Sequence, residues 1–420
     1  MSRLRWILSR LRRTLWVRVS LYAVMGILAA AAAALASWLP LPLPIDISLD
    51  AIDSLLNVIA TSMLAVTTFS VTALTSAYGS ATSNATPRAT RLLTEDDFVQ
   101  SVLATFIGSF LFSIVGLVAL RVSVYGPQGR ALLFVVTVLV IILIVLALLR
   151  WIHQLTKLGR VGDTLDRLED ATCRSMQARL DLPFLGGRPL PDDAPAAPAI
   201  PADQVGYIEF IDTAALSELC EDRDIHLDIR ALPGAFVYSG APLAVIRGAA
   251  PTEDLAAAIR DAFTVARART FDQDPRFGII ALSEVALRAL SPAVNDPGTA
   301  IEVIGRQVRL LTLWAEGWHK AELHKAEYPR LRVAPLRHDD LHDDAFHLIA
   351  RDAAGQIDVL TRLVKGLDAL RRIGPAPARR AAEHQLRLAR DRGLAGLPSD
   401  HDRDRLRQVL DGLEGGWQAA

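Results

Sequence analysis

The first 150 residues contain four long windows without a charged side chain, and no other feature of the sequence constrains the fold as strongly. The windows are 27, 34, 23 and 19 residues long, and they cover Val19–Ile45, Ser54–Pro87, Phe98–Leu120 and Ala131–Leu149. A helix needs about 20 residues to cross ~30 Å of hydrocarbon at ~1.5 Å per residue. The sequence therefore predicts a four-span transmembrane domain over residues 1–150.

Charge placement predicts the orientation of these spans. Residues 1–160 carry 13 Lys and Arg against 6 Asp and Glu, whereas residues 161–420 carry 32 against 40. Arginines precede the first window and follow the second, and Arg150 follows the fourth. The only charged residues in the loop between the first two windows are aspartates. The positive-inside rule then places both termini in the cytoplasm of a multi-pass membrane protein.

Composition excludes several other classes of protein. The basic residues flank apolar windows instead of forming a separate domain, so we expect the lipid bilayer as a partner and no nucleic acid. Only two cysteines are present, Cys173 and Cys220, which excludes a disulfide scaffold and a site of four cysteines for zinc.

The second window is unusually rich in hydroxyl side chains, with 13 Ser or Thr between Ser54 and Pro87. At helical spacing these residues form a stripe, and the third window carries a shorter one; the members are Thr61, Thr68, Thr72 and Ser76, then Thr105, Ser109 and Ser113. One interpretation is close helix packing, in which small residues let backbones approach. The alternative is a hydroxyl-lined surface that faces a pore in an oligomer. The absence of a charged ring at membrane depth favours packing.

The remainder of the chain predicts a cytoplasmic α+β part. We expect a membrane-proximal helix over 151–182 and a Pro-rich linker over 183–205. A small β-rich module over 206–250, a helical domain over 251–373 and C-terminal helices over 374–420 then follow. The predicted fold class is thus an α-helical membrane domain with four transmembrane helices, followed by an α+β part that ends in a helical bundle. Helix-start signals include Asp212, Thr252 and Asp296, and the helix that begins at Thr252 is expected to run to about Ala268.

The segment "FGIIALSEVALRALSPAVNDPGTA" at 277–300 resembles the signature of a bacterial membrane-protein family, domain of unknown function 2254. The segments "SNATPRATR" at 83–91, "GYIEFID…PGAFVYSGAPL" and "LRVAP…DDAFHLIARDA" are similar to that family in matching order. This sequence departs from the family pattern at Gly298 and Ala85, where bulkier residues are usual. The resemblance implies four membrane helices and a soluble C-terminal part, and it implies no established activity. We expect the protein in the bacterial inner membrane.

The "SPAVNDPGT" loop has two interpretations. Ser291, Asn295, Asp296 and Thr299 lie between two predicted helices. Pro292 and Pro297 restrict the backbone while Asn295 and Asp296 bond local N–H groups, which is typical of a rigid turn and a helix cap. The alternative is an ion or ligand site built from Asn295, Asp296 and the free N–H groups of the following helix. Glu284 and Arg288 lie one helical turn apart and are expected to form a paired face.

A second candidate is "RHDDLHDDAFH", in which His338 and His342 stand four residues apart. Two such histidines on a helix can bind a metal ion, but the glutamate pattern of zinc proteases is missing. We therefore expect no metal and no cofactor, and we recognise no catalytic constellation.

Three functional hypotheses follow. The first is a non-enzymatic homo-oligomer, a channel- or transport-like assembly with a cytoplasmic regulatory part. The second is a membrane-anchored sensor or scaffold for a ligand or protein, without conduction. The third is a metal-dependent enzyme that uses the acidic and histidine residues.

Overall fold

The computed structural model describes residues 6, 15–35, 48–94, 96–122, 124–156, 158–193, 195, 197–321, 323 and 325–414. The chain divides into two compact units. The helical unit comprises Ile7–Ser83 and Pro87–Thr164, and the α/β unit comprises Met1–Trp6, Asn84–Thr86 and Leu165–Ala420.

The helical unit is built from long apolar helices. They are α1 (Leu15–Leu35), α2 (Leu49–Asn84), the short α3 (Ala89–Thr94), α4 (Asp97–Arg121) and α5 (Pro127–Leu155). Within the described part of the chain, three helices are long and apolar enough to cross a membrane: Leu49–Ser83, Asp97–Arg121 and Pro127–Leu155. The apolar part of α1, Trp16–Ala32, is shorter than these. The predicted first span continues into residues 36–47, which lie outside the described residues.

Small residues set the packing of α1 on α4. A Cβ on Gly26 would lie 2.7 Å from the carbonyl oxygen of Gly108, and a Cβ on Gly108 would lie 3.0 Å from that of Tyr22. The two backbones therefore approach as closely as only glycine permits, as is common between membrane helices. Asp96 begins α4 as its N-cap, because its carboxylate accepts hydrogen bonds from the N–H groups of Phe98 and Val99.

The α/β unit contains two small sheets. Its strands are β1 (Arg188–Pro189), β2 (Ala199–Pro201), β3 (Gly206–Ile211), β4 (His226–Ile229), β5 (Phe236–Val237), β6 (Pro242–Arg247), β7 (Phe263–Ala266) and β8 (Leu331–Val333). One sheet has the order β1-β8-β4-β6-β2 and the other β5-β3-β7. In the larger sheet β4 pairs with β8 in parallel, with Leu227 opposite Leu331, and with β6 in antiparallel orientation. These strands bury a continuous apolar core that includes Ile229, Ile246 and Val333.

Helices surround and follow these strands. They are α6 (Val161–Asp181), α7 (Thr213–Asp222), α8 (Glu253–Asp261), α9 (Pro275–Leu290), α10 (Pro297–Ala321), α11 (His338–His342), α12 (Leu348–Asp352), α13 (Ile357–Leu370), α14 (Ala376–Gly396) and α15 (Asp400–Glu414). The turn Asp343–His347 between α11 and α12 is a π-helix. Asp212 and Thr252 cap α7 and α8, as their position in the sequence predicts.

The structure differs from three sequence expectations. The helix expected over 151–182 is interrupted between α5 and α6, where Gly159 adopts a φ of +81° that a helix does not accommodate. The helix expected to run from Thr252 to Ala268 ends at Asp261, and the next residues form β7, which pairs with β3. The Pro-rich segment 183–205, expected to be a linker, contributes β1 and β2 to the larger sheet.

Candidate functional site

The loop between α9 and α10 is an exposed, internally hydrogen-bonded turn. Ser291 Oγ donates to the carbonyl oxygen of Arg288 at 2.7 Å, and the N–H of Asn295 donates to the carbonyl oxygen of Ser291 at 2.9 Å. Asn295 has a φ of +49°, a conformation that asparagine tolerates better than most residues. The polar groups of the loop therefore largely satisfy one another.

Asp296 caps α10. Its carboxylate accepts the Thr299 hydroxyl at 2.6 Å and the Thr299 N–H at 3.0 Å. These hydrogen bonds, led by the one from the Thr299 hydroxyl, lower the pKa of Asp296. The carboxylate is thus charged at neutral pH and directed at the helix start, which accounts for the turn and needs no bound ion.

Glu284 joins two segments that are distant in the sequence. Its Oε2 accepts the hydroxyl of Thr86 at 2.8 Å, so the segment after α2 contacts the helix that carries the family motif. Glu284 and Arg288 do not form the ion pair that their spacing predicts. Arg288 is exposed and makes no ion pair with any residue that the structure describes.

His338 and His342 lie in the core and not on a metal-binding surface. The His338 ring contacts the rings of Trp314 and Trp318 edge to face, with centroids 6.4 and 5.8 Å apart, and His342 Nδ1 lies 2.8 Å from the carbonyl oxygen of His338. Burial lowers the pKa of His338 to about 4 and also lowers that of His342. Among the described residues, no three His, Cys, Asp or Glu side chains are grouped so that they could hold a metal ion.

The hydroxyl stripes divide between a buried and an exposed set. Ser109 and Ser113 on α4 are buried, and Thr105 is half-buried. On α2 the four hydroxyl residues Thr61, Thr68, Thr72 and Ser76 are exposed on the single chain. The hydroxyls of Thr61, Thr68 and Thr72 donate to carbonyl oxygens three or four residues back, at 2.9 to 3.2 Å. Such bonds let hydroxyl side chains sit on an apolar helix without unpaired donors.

Sequence reasoning missed an N-terminal anchor in the α/β unit. Trp6 is buried, stacks on Phe210 with ring centroids 4.9 Å apart, and donates Nε1–H to Asp272 at 3.0 Å. In the next two residues, the Gln273 carbonyl oxygen accepts from the buried Arg179 and Asp274 pairs with Arg269. Burial lowers the pKa of Arg179 to about 10. A lone tryptophan among arginines gave no periodic signal that could have revealed this contact.

The apolar helices and the separate α/β unit define the class, a membrane protein with an α/β part. The family model described as "Predicted membrane protein (DUF2254)" matches residues 12–369, so the chain belongs to this family. The resemblance inferred from the "ALSPAVNDPGTA" motif is thereby confirmed.

The curated relatives match a limited stretch. An uncharacterized protein of Mycobacterium bovis and one of Mycobacterium tuberculosis are each 35% identical over 118 residues, which is 26% of this chain. The match spans only 23% of the length of each relative. No solved structure matches the chain significantly.

Proposed function

We propose that this protein is a homo-oligomer of the bacterial inner membrane in which α2 of each subunit lines a transport path and the α/β unit regulates it. The observation that carries the proposal is the uncovered hydroxyl face of α2. One side of this helix packs inside the helical unit through residues such as Leu56 and Met63, whereas Thr61, Thr68, Thr72 and Ser76 remain exposed. In lipid, a stripe of small and hydroxyl side chains favours contact with another helix or with water.

Two contacts of the α/β unit support four membrane crossings with both termini in the cytoplasm. Trp6 and Thr86 both belong to this unit, so both lie on its side of the membrane. An even number of crossings must separate them. Because α2 crosses between them, α1 must cross as well, despite its shorter apolar stretch. The pair α4 and α5 then returns the chain to the same side, which agrees with the arginine placement.

Cysteine cross-linking and flux measurements test the proposal. In a background with Cys173 and Cys220 replaced by alanine, Thr68→Cys is expected to form a dimer across subunits in membranes. Val145→Cys is the matched control, because Val145 is also exposed on an apolar helix but lies on α5. Thr72→Val keeps the side-chain shape and removes the hydroxyl, and it is expected to reduce solute flux in proteoliposomes severalfold. Absence of a cross-link at Thr68→Cys, or equal cross-linking of Thr68→Cys and the Val145→Cys control, together with no flux, would refute the proposal.

A sensor or scaffold without conduction is the second candidate. The observation that favours it is the motif loop, which is exposed over 292–298 and held rigid by its own hydrogen bonds. A rigid exposed loop is a suitable docking surface. In this case proteoliposomes with the wild-type protein are expected to show no solute flux, and Thr72→Val is expected to change nothing. The two candidates thus make opposite predictions for the same preparation.

A further inference from the structure

The helical unit contains an apolar cleft of about 760 Å³ between α1, α4 and α5. Its walls include Tyr22 and Met25 from α1, Ser101 and Thr105 from α4, and Leu143 from α5. This volume falls within the ~300–1,000 Å³ typical of sites for small ligands. Because α4 and α5 are long enough to cross a membrane and α1 carries the apolar stretch Trp16–Ala32, hydrocarbon is the medium expected around the cleft.

The cleft has the length of a lipid tail. On α4 it extends from Phe98 to Phe112, and on α5 from Val136 to Arg150, which is fourteen residue steps in each case. At ~1.5 Å per residue this is about 21 Å, more than one leaflet of a ~30 Å hydrocarbon core. An extended acyl chain therefore fits along it.

Polar side chains are concentrated at one end of the cleft. A second cleft, of about 430 Å³, is lined by Arg150, His153 and Gln154 and shares Phe98 and Arg150 with the first. The two clefts thus meet at Arg150, and the second adds the polar side chains of His153 and Gln154 at this end.

Arg150 is an available cation at this junction. Within the described ranges it forms no ion pair, and the neighbouring acids have other roles. Asp96 caps α4 and also accepts from Gln154 at 3.4 Å, and Asp97 pairs with Arg18 at 2.5 Å. A guanidinium recognises phosphate oxygens through paired, charge-assisted hydrogen bonds.

We propose that one anionic phospholipid occupies these two clefts, with its phosphate on Arg150 and one acyl chain along α1, α4 and α5. The second cleft, which carries Arg150, His153 and Gln154, receives the headgroup, and the first cleft receives the tail. Juxtaposition of a cation with an apolar cleft of tail length is the observation that selects an amphiphile over a purely apolar occupant. The inference does not depend on the proposed transport function.

Native mass spectrometry of the full-length protein in detergent tests the headgroup contact. Titration with phosphatidylglycerol is expected to give one tightly bound lipid, several times tighter than the zwitterionic phosphatidylethanolamine. Arg150→Gln is expected to weaken phosphatidylglycerol binding about fivefold, the effect of one lost cation near a lipid surface. Arg160→Gln is the matched control, because Arg160 is exposed ten residues further on and lines neither cleft. Equal effects of the two variants, or no preference for the anionic lipid, would overturn the proposal.

A pair of tryptophan variants tests the tail contact. Leu143→Trp fills the cleft and is expected to displace the lipid, whereas Val145→Trp on the same helix, outside the cleft, is expected to leave it bound. If the bound lipid survives Leu143→Trp, or if Leu143→Cys cross-links to a second copy of the chain, the cleft has a different occupant and the assignment is wrong.

Discussion

At the residue scale, Gly278 fixes the distance between α9 and α6. A Cβ at this position would lie 1.9 Å from Thr172 Oγ1 and 2.7 Å from Thr172 Cβ. Both helices must therefore separate to accept any larger residue. This glycine is the second residue of the segment "FGIIALSEVAL", so its small size matters for packing before the motif loop begins.

Replacement Gly278→Ala is expected to lower the free energy of unfolding by about 1–3 kcal/mol, because overpacked cores shift the backbone. Gly412→Ala is the control, since a Cβ there meets nothing within 4 Å. Chemical denaturation of the detergent-solubilised protein measures both. The control is expected to be neutral or slightly stabilising, since alanine has the higher helix propensity. Identical unfolding midpoints for the two variants would contradict this assignment.

The buried histidines make stability depend on pH. Burial lowers the pKa of His338 to about 4, below the ~6.5 of an exposed histidine. Between these two pH values the unfolded chain therefore binds a proton at this residue and the folded chain does not. The contribution of neutral His338 to the free energy of unfolding is then fully present above about pH 6.5 and decreases as the pH falls towards 4. His342, whose pKa is also lowered, acts in the same direction.

His338→Phe is expected to flatten the loss of thermal stability between pH 6.5 and 4. His338 Nδ1 has no hydrogen-bond partner among the described residues, so phenylalanine removes the titrating group without breaking a bond at that atom. His401→Gln changes an exposed histidine on α15 and is expected to leave the slope unchanged. Parallel slopes for wild type and His338→Phe would show that other groups titrate in this interval.

At the element scale, the crossing of α1 and α4 depends on two glycines. Gly26→Ala is expected to destabilise the helical unit by about 1–3 kcal/mol, because its Cβ would contact the Gly108 carbonyl oxygen at 2.7 Å. Gly79→Ala on α2 provides the control, as the space around it is open. Thermal denaturation in detergent micelles distinguishes the variants. A Gly26→Ala protein as stable as the control would mean that α1 is held by other contacts.

Sequence patterns predicted the elements that local chemistry specifies. The starts of α7, α8 and α10 follow from Asp212, Thr252 and Asp296, because a capping side chain acts on its own helix. The strand β7 was assigned to a helix, because its pairing with β3 joins residues more than fifty positions apart. The Pro-rich strands β1 and β2 were missed for the same reason. Short edge strands tolerate proline, so composition alone indicated a linker.

The candidate site also divides into local contacts, which the sequence predicted, and long-range contacts, which it did not. The turn and cap of the motif loop could be predicted from Ser291, Asn295 and Asp296, whose partners are all nearby in sequence. The hydrogen-bond partner of Glu284 could not be predicted, because Thr86 lies 198 residues away in the sequence. Local spacing suggested Arg288 instead. Likewise, the spacing of His338 and His342 resembles a metal pair, and only the tertiary contacts with Trp314 and Trp318 identify a core position.

At the scale of the whole molecule, Trp6, which precedes α1 in the sequence, belongs to the α/β unit and packs in it. Trp6→Ala removes a ring that is 4% exposed and its hydrogen bond to Asp272, and it is expected to cost about 3–5 kcal/mol. Trp16→Ala, at a side chain 67% exposed, is the control. Limited proteolysis of the α/β unit in the full-length protein is expected to accelerate only for Trp6→Ala. Equal proteolysis rates would mean that this contact contributes little to stability.

The same contact makes membrane topology testable with two cysteines. If Trp6 and Thr86 both remain with the α/β unit, residues between α1 and α2 must lie on the opposite side of the membrane from the motif loop. In the cysteine-free background, a membrane-impermeant maleimide is expected to label Asp50→Cys in intact spheroplasts. Pro292→Cys, which is exposed in the α/β unit, is expected to react only after permeabilisation. Labelling of both positions from outside would require an even number of crossings between them, so α2, α4 and α5 would not all cross the membrane.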